Sequence, residues 1–232
     1  GLVGSEMCIR DSRSGGYVVK NASVRIVPKQ NGQEIRYSVS DENVRTAGGI
    51  PVFGLYPDWL NTVEVEYDRV FNGKTEHFSD RYQLYAAPVF LRSNGTPGQT
   101  HTTFNVKVLK MDPAFKDRLY FINNLIPTPP DASRVVWNNP MGGALEWAFG
   151  PENAIVDSTG TVRWYLNPDV EMYDPDQPYK AGIMMGFEQT ADGGLLFGYG
   201  QRYAKYDMTG REIFNRRLPM GYADYSLSLI HI

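Results

Sequence analysis

Hydrophobic and polar residues alternate along several short stretches of the chain, with the period of two that half-buried β-strands show. Residues 63–68 read Val-Glu-Val-Glu-Tyr-Asp, and within residues 103–111 Phe104, Val106 and Val108 share one face. The dipeptides Asn31-Gly32 and Asn72-Gly73 separate such stretches, and Asn-Gly favours the type I′ turn of a hairpin. Apolar patterns of helical period stay within about two turns, and residues 112–117 are predicted to form a short helix. The pattern predicts an all-β chain.

The second half of the chain repeats itself. Residues 135–166 and 184–218 each contain two turns, and the second turn, Asp-x-Thr-Gly, begins at Asp157 in one copy and at Asp207 in the other, 50 residues later. A period of roughly 40–50 residues built from four short strands is typical of a β-propeller blade. We therefore predict two consecutive four-stranded blades within residues 135–226.

The repeated turns also suggest a role for their aspartates. An Asp side chain can accept hydrogen bonds from backbone N–H groups ahead of it, and Gly adopts a positive φ without a Cβ clash. Asp157 and Asp207 are therefore predicted to form turns and not to act as general bases.

Two blades alone have one mutual interface, so side chains on the open side of the second blade are expected to be partly exposed. These are Phe187, Leu196, Tyr206 and Phe214.

The two ends of the chain resemble translated DNA adapter. Residues 2–11 match the translation of a transposon-type sequencing adapter, and residues 227–232 match that of the reverse complement of its inner end. We interpret both ends as adapter-derived and the remainder as part of a longer gene. Residues 1–12 and 227–232 are therefore predicted to be adapter-derived. Residues 13–126 are predicted to form an N-terminal immunoglobulin-like β-sandwich, with residues 119–122 completing its sheet. A Pro-rich linker follows at residues 127–134, and residues 135–226 form the two blades.

Composition excludes several classes of function. The formal net charge of the 232 residues is −3, which argues against a nucleic-acid-binding protein. No run of 18 apolar residues is present, so no membrane span is predicted. The single cysteine, Cys8, lies in an adapter-derived end, which leaves no Cys-based metal site, and no metal is expected. His77 and His101 lack the neighbours of a catalytic triad or metal site, so surface or structural roles are predicted.

Four residues are candidates for lining a binding channel. Lys180 and Arg202 lie at predicted strand ends, where propeller loops meet the central channel, and Arg202 could present a planar fork to sulfate or phosphate. Met184 and Met185 belong to the first, innermost strand of the second blade and should lie near the channel. The alternative for Arg202 is a solvated loop arginine.

Longer motifs carry a specific resemblance, and they lie at residues 49–57, 136–140, 150–155 and 203–218. They closely resemble bacterial aryl-sulfate sulfotransferases. The resemblance implies a β-sandwich followed by a six-bladed propeller, in a periplasmic homodimer without a cofactor. It also implies transfer of sulfate from a phenolic ester to another phenol, without the nucleotide donor PAPS, through a covalent intermediate on a channel histidine.

The chain departs from this family at its end. Residues 224–226 match the lead-in to a channel histidine that contacts sulfate, but Leu227 stands at that position. The nucleophilic histidine belongs to later blades, so the resemblance places no catalytic residue in this chain, and the chain alone is predicted to be inactive. The alternative function is a non-enzymatic sandwich-plus-propeller module for binding or adhesion.

Overall fold

The computed structural model describes residues 16–89, 106–126, 150–166, 185–199, 202–217 and 219, and the backbone of four short strands at 3–4, 7–9, 91–92 and 100–101. At some strand ends, including 123–126, 150–152 and 185–186, the description covers the backbone only. The strands are β1 (Val3–Gly4), β2 (Met7–Ile9), β3 (Val18–Ile26), β4 (Ile35–Val39), β5 (Ile50–Val52), β6 (Trp59–Phe71), β7 (Lys74–Ala86), β8 (Leu91–Arg92), β9 (Thr100–His101), β10 (Leu119–Ile126), β11 (Gly150–Asp157), β12 (Val162–Leu166), β13 (Met185–Gln189), β14 (Leu195–Tyr199), β15 (Arg202–Tyr206) and β16 (Glu212–Arg217). One α-helix, α1 (Asp41–Ala47), and one 3-10 helix (Pro113–Phe115) accompany them in the described residues.

The N-terminal domain is built on a four-stranded antiparallel sheet with the order β4-β3-β6-β7. Alternation along β6 buries Val63, Val65 and Tyr67 and turns Glu64 and Glu66 outward, so the predicted half-buried strand is confirmed. Helix α1 and strand β5 supply buried residues to the same core. The core comprises Ala22, Val24, Ile26, Ile35, Val39, Val44, Ile50, Val52, Leu55, Tyr56, Val63, Val65, Tyr67 and Ala86.

Only one of the two Asn-Gly dipeptides makes the predicted turn. Asn72 and Gly73 have φ values of 49° and 75° and join directly paired strand ends, which confirms a type I′ turn. The hairpin predicted around Asn31-Gly32 is confirmed, because β3 pairs antiparallel with β4, but the type I′ turn predicted for it is wrong. The ladder between β3 and β4 closes at Ile26 and Ile35, and within the longer loop Gly32 N donates to Lys29 O at 2.8 Å.

Helix α1 was not predicted. Ser40 caps its N-terminus by accepting from Asn43 N at 3.1 Å, and Gly48, with a φ of 66°, ends it. Val44 is its one buried residue, so no apolar periodicity marks the helix in the sequence. The short helix predicted at residues 112–117 is present as the 3-10 helix.

Two further antiparallel sheets follow, with the orders β1-β12-β11-β10 and β13-β14-β15-β16. The prediction that residues 119–122 complete the N-terminal sheet is wrong, because β10 pairs along its whole length with β11. The physical reason is aromatic packing: the Phe121 ring stacks 5.3 Å from Phe187 and lies 6.4 Å from Trp164, both in the later sheets.

One other strand prediction also needs correction. The strand that the repeat predicts at residues 144–149 lies outside the described residues, and the neighbours of β11 are β10 and β12. Residues 106–111, predicted as the end of a strand, form none. At the N-terminus, β1 and β2 of the segment interpreted as adapter-derived pair with β12 and β5.

The last two sheets pack face to face through an aromatic layer. The Phe187, Phe197 and Tyr206 rings stack in series at 5.6 and 5.5 Å, and Trp164 of the preceding sheet packs against them. The expected exposure of Phe187 and Tyr206 is therefore wrong, since both face the neighbouring sheet. Leu196 is likewise buried, and Phe214 is half-buried. Closure of these sheets into a propeller stays a prediction.

Candidate functional site

The predicted anion-binding residue Arg202 opens β15, at one end of the last sheet. Arg202 is the cross-strand partner of Arg217, and Tyr203 is the partner of Arg216. Arg202 is half-buried, whereas Arg216 and Arg217 are exposed. Three guanidinium groups therefore lie at this end, which we call the arginine end (Arg202, Arg216, Arg217). Guanidinium groups present planar donor forks that match the oxygens of sulfate and phosphate.

The structure describes the other predicted channel residues only in part. Lys180 and Met184 lie outside the described residues, and Met185 is described by its backbone, which pairs with Gly198. Its strand, β13, is an edge strand of the last sheet, and no helix is present among the described residues between 185 and 217. A channel-lining role for Lys180, Met184, Met185 and Arg202 stays a prediction.

Sequence reasoning missed a buried arginine at the junction between the N-terminal domain and the later sheets. The side chains of Arg163 and Asp157 are 1% and 0% exposed, and Arg163 Nη1 donates to Asp157 Oδ2 at 2.7 Å. The guanidinium also donates to Gly54 O at 2.9 Å and Gln33 O at 3.0 Å, and it lies 3.7 Å over the Tyr56 ring. The sequence feature that could have indicated this contact is a cation within the otherwise apolar strand β12, since a buried arginine needs a partner.

The Asp157 turn fixes the other half of this buried pair. Asp157 Oδ1 accepts from Thr159 N at 2.9 Å, Thr159 Oγ1 at 2.6 Å and Thr161 N at 3.1 Å. The Asp207 turn repeats these bonds, but the second oxygen of Asp207 accepts from Arg211, which is half exposed. The turn-forming role of both aspartates is confirmed, and the buried partner distinguishes the first turn.

Gln33 of the N-terminal domain holds the same turn from the other side. Gln33 Oε1 accepts from both the backbone N and the Oγ of Ser158 at 2.8 Å, and Gln33 Nε2 donates to Arg118 O at 3.2 Å. Tyr56 Oη donates to Gln33 O at 2.8 Å, and burial raises the pKa of this phenol. The N-terminal domain is therefore joined to the first of the later sheets by buried polar contacts.

A cleft of about 610 Å³ lies between helix α1 and the last sheet. On its sheet side, Lys205 donates to Asp192 at 2.5 Å, and this hydrogen bond holds the pKa of Asp192 well below its usual range. Arg211 donates to Asp207 at 2.9 Å. Both cations therefore already bind carboxylates, which makes this cleft a poor candidate site for an anion.

The structure describes the side chain of one histidine, His77. His77 Nδ1 lies 2.9 Å from Asp68 Oδ1, and the His77 side chain is 65% exposed, which supports a surface role. Asn21 and His77 together lower the pKa of Asp68 through hydrogen bonds. His101 is described by its backbone in β9. Within the described part of the chain, no cluster of three or more His, Cys, Asp or Glu residues could hold a metal ion.

Comparison with known proteins decides the family. The model of the family Arylsulfotransferase (ASST) matches residues 105–231, more than half of the chain. This chain belongs to the arylsulfotransferase family. The model of the Arylsulfotransferase Ig-like domain matches residues 13–87, which confirms the predicted immunoglobulin-like fold of the N-terminal region. The resemblance found in the sequence motifs is thereby confirmed.

Two curated relatives carry the name arylsulfate sulfotransferase AssT. The protein from Escherichia coli O6:H1 is 31% identical over 224 residues, and that from Lelliottia amnigena is 32% identical over 210 residues. The alignments cover 90% and 84% of this chain but 36% and 34% of the relatives. The chain thus spans about a third of the length of these relatives. No helix in the described residues is both long and apolar enough to span a membrane.

Proposed function

We propose that this chain is the N-terminal part of an aryl-sulfate sulfotransferase. The enzyme would move a sulfuryl group from a phenolic ester to another phenol, without PAPS and without a cofactor. The observation that carries the proposal is the match of two family models, one to the Ig-like region and one to the later sheets. The arginine end adds chemical support, because sulfate esters are anionic and guanidinium forks match their oxygens.

The proposed reaction uses a histidine located beyond residue 226. Its ring nitrogen would attack the sulfur of the donor ester, so that the S–O bond to the aryl group breaks and a phenolate leaves. The oxygen of the acceptor phenol would then attack the same sulfur, its proton balancing that taken up by the released phenolate, and the N–S bond would break to regenerate the histidine. The role of Arg202 would be to bind the sulfate oxygens as their charge is redistributed.

The proposal extends to the architecture of the whole enzyme. The two later sheets are proposed to be the first two blades of a six-bladed propeller, in a periplasmic homodimer. Face-to-face packing of Phe187, Phe197 and Tyr206 against Trp164 supports neighbouring blades. In this arrangement β13 would be the innermost strand and β16 the outermost, and Arg202 is proposed to reach the channel from the end of β15.

The test compares this chain with the product of the longer gene. We expect the longer product to release 4-nitrophenol from 4-nitrophenyl sulfate when phenol is added as acceptor, and the chain alone to release none. In the longer product, Arg202→Ala should raise KM or lower kcat, because it removes a sulfate-binding fork. Arg211→Ala is the matched control, since Arg211 lies in the turn at the opposite end of the sheet and should leave both constants unchanged.

Three results would contradict the proposal. Release of nitrophenol by the purified chain alone would place the nucleophile within these residues. An inactive longer product would favour the binding or adhesion module. Equal effects of the substitutions at Arg202 and Arg211 would remove the arginine end from the substrate site while leaving the reaction class intact.

A further inference from the structure

An exposed apolar segment lies next to the junction of the N-terminal domain and the later sheets. We call it the basic loop (residues 106–119). Leu109 is 85% exposed, and Leu119, Phe115 and Val108 are 44%, 43% and 37% exposed. Large apolar side chains exposed together in this way mark a surface that binds a partner or a membrane.

The charge of the loop is opposite in sign to that of the chain. The whole chain has a net charge of −3. The loop instead carries four cations, Lys107, Lys110, Lys116 and Arg118, and two carboxylates, Asp112 and Asp117. All six of these side chains are on exposed residues. The loop therefore combines apolar groups with a local excess of positive charge, and charge complementarity selects an anionic partner.

The loop is anchored at several points. Tyr120 Oη donates to Phe115 O at 2.9 Å, and Arg118 N donates to Phe115 O at 3.1 Å, which holds the loop in a compact turn. Gln33 Nε2 of the N-terminal domain donates to Arg118 O at 3.2 Å. Residues 115–118 of the loop are thus held in a fixed frame, which lowers the entropy lost when a partner binds.

We propose that the basic loop binds an anionic lipid surface, with Leu109 and its apolar neighbours entering the headgroup region. Lysines flank Leu109 closely along the chain, at Lys107 and Lys110. Long cationic side chains beside apolar ones suit the membrane interface, because the chain stems lie in the apolar layer while the ammonium groups reach the phosphates. Nucleic acid fits less well, because the net charge of the whole chain is −3.

The test is cosedimentation of the whole chain with lipid vesicles. We expect binding to vesicles of phosphatidylglycerol and phosphatidylcholine, weak binding to phosphatidylcholine alone, and release at high salt. Each lysine near an anionic surface raises the vesicle-binding constant about fivefold. The double variant K107E/K110E should therefore lower that constant by about 25-fold or more. The matched control K74E/R81E changes two exposed cations on β7 and should bind within about twofold of the parent.

A second pair of variants tests the apolar part. Leu109→Ser should weaken vesicle binding, whereas Leu60→Ser, on a 56% exposed residue of β6, should not. Far-ultraviolet circular dichroism checks that each variant keeps its fold. Equal losses in the loop variants and their controls, or equal binding to neutral vesicles, would overturn the proposal. Concentration-dependent dimers that Leu109→Ser abolishes, without vesicle binding, would assign the loop to a second copy of the chain and would also overturn it.

Discussion

Removing the buried guanidinium of Arg163 should destabilise the junction between the N-terminal domain and the first of the later sheets. Arg163→Met keeps much of the side-chain volume but leaves the Asp157 carboxylate, which is 0% exposed, without its charge partner. It also removes the donors to Gly54 O and Gln33 O and the stacking on Tyr56. The substitution therefore acts on both sides of the junction at once.

The magnitude follows from the contacts that remain. Breaking a buried ion pair by removing one partner costs about 3–5 kcal/mol, because the other charge stays buried. Asp157 keeps three donors from its own turn, which places the expected cost at about 3 kcal/mol. The double variant R163M/D157N removes both charges, while the amide oxygen still accepts from the turn. It should recover about 1–2 kcal/mol relative to R163M.

The assay is urea unfolding followed by tryptophan fluorescence, which includes Trp164 beside the junction. Arg211→Met is the matched control, because Arg211 pairs with the equivalent aspartate of the second turn but is 53% exposed. Its cost should stay below about 1 kcal/mol. A cost for R163M below about 1 kcal/mol, or a double variant less stable than R163M, would refute the reasoning.

Two further predictions concern turns. Gly160 and Gly193 have φ values of 85° and 82°, but a Cβ at Gly160 would lie 2.8 Å from Val106 O, whereas one at Gly193 meets nothing within 4 Å. G160A and G193A should each lower the free energy of unfolding by about 1–2 kcal/mol because of the left-handed backbone. G160A should cost more in total because of the contact with Val106 O, and equal costs in urea unfolding would contradict that contact. The hydrogen bond from Lys205 lowers the pKa of Asp192 in the folded protein. The pair therefore stabilises the fold fully above the pKa of an unfolded Asp, about 4, and this stabilisation is lost as the pH falls through the lower pKa of the folded state. The stability difference between the parent and D192N should therefore shrink in acid, and a difference independent of pH would contradict the pairing.

Some features of this protein are local, and the sequence alone determined them. The Asn72-Gly73 turn and the turns at Asp157 and Asp207 were predicted because each depends on groups within four residues of one another. The alternation at residues 63–68 identified a strand and its buried face for the same reason. The family resemblance likewise rests on short motifs, so it did not depend on how the sheets pack.

Other features depend on contacts between distant parts of the chain, and only the tertiary structure decided them. The apolar residues 119–122 predict a strand, but not that β11 is its neighbour in place of the N-terminal sheet. The burial of Arg163 needs Gln33 and Gly54, which lie more than 100 residues away. A cation in an apolar strand is unfavourable until such partners surround it, so its role follows from the packed structure.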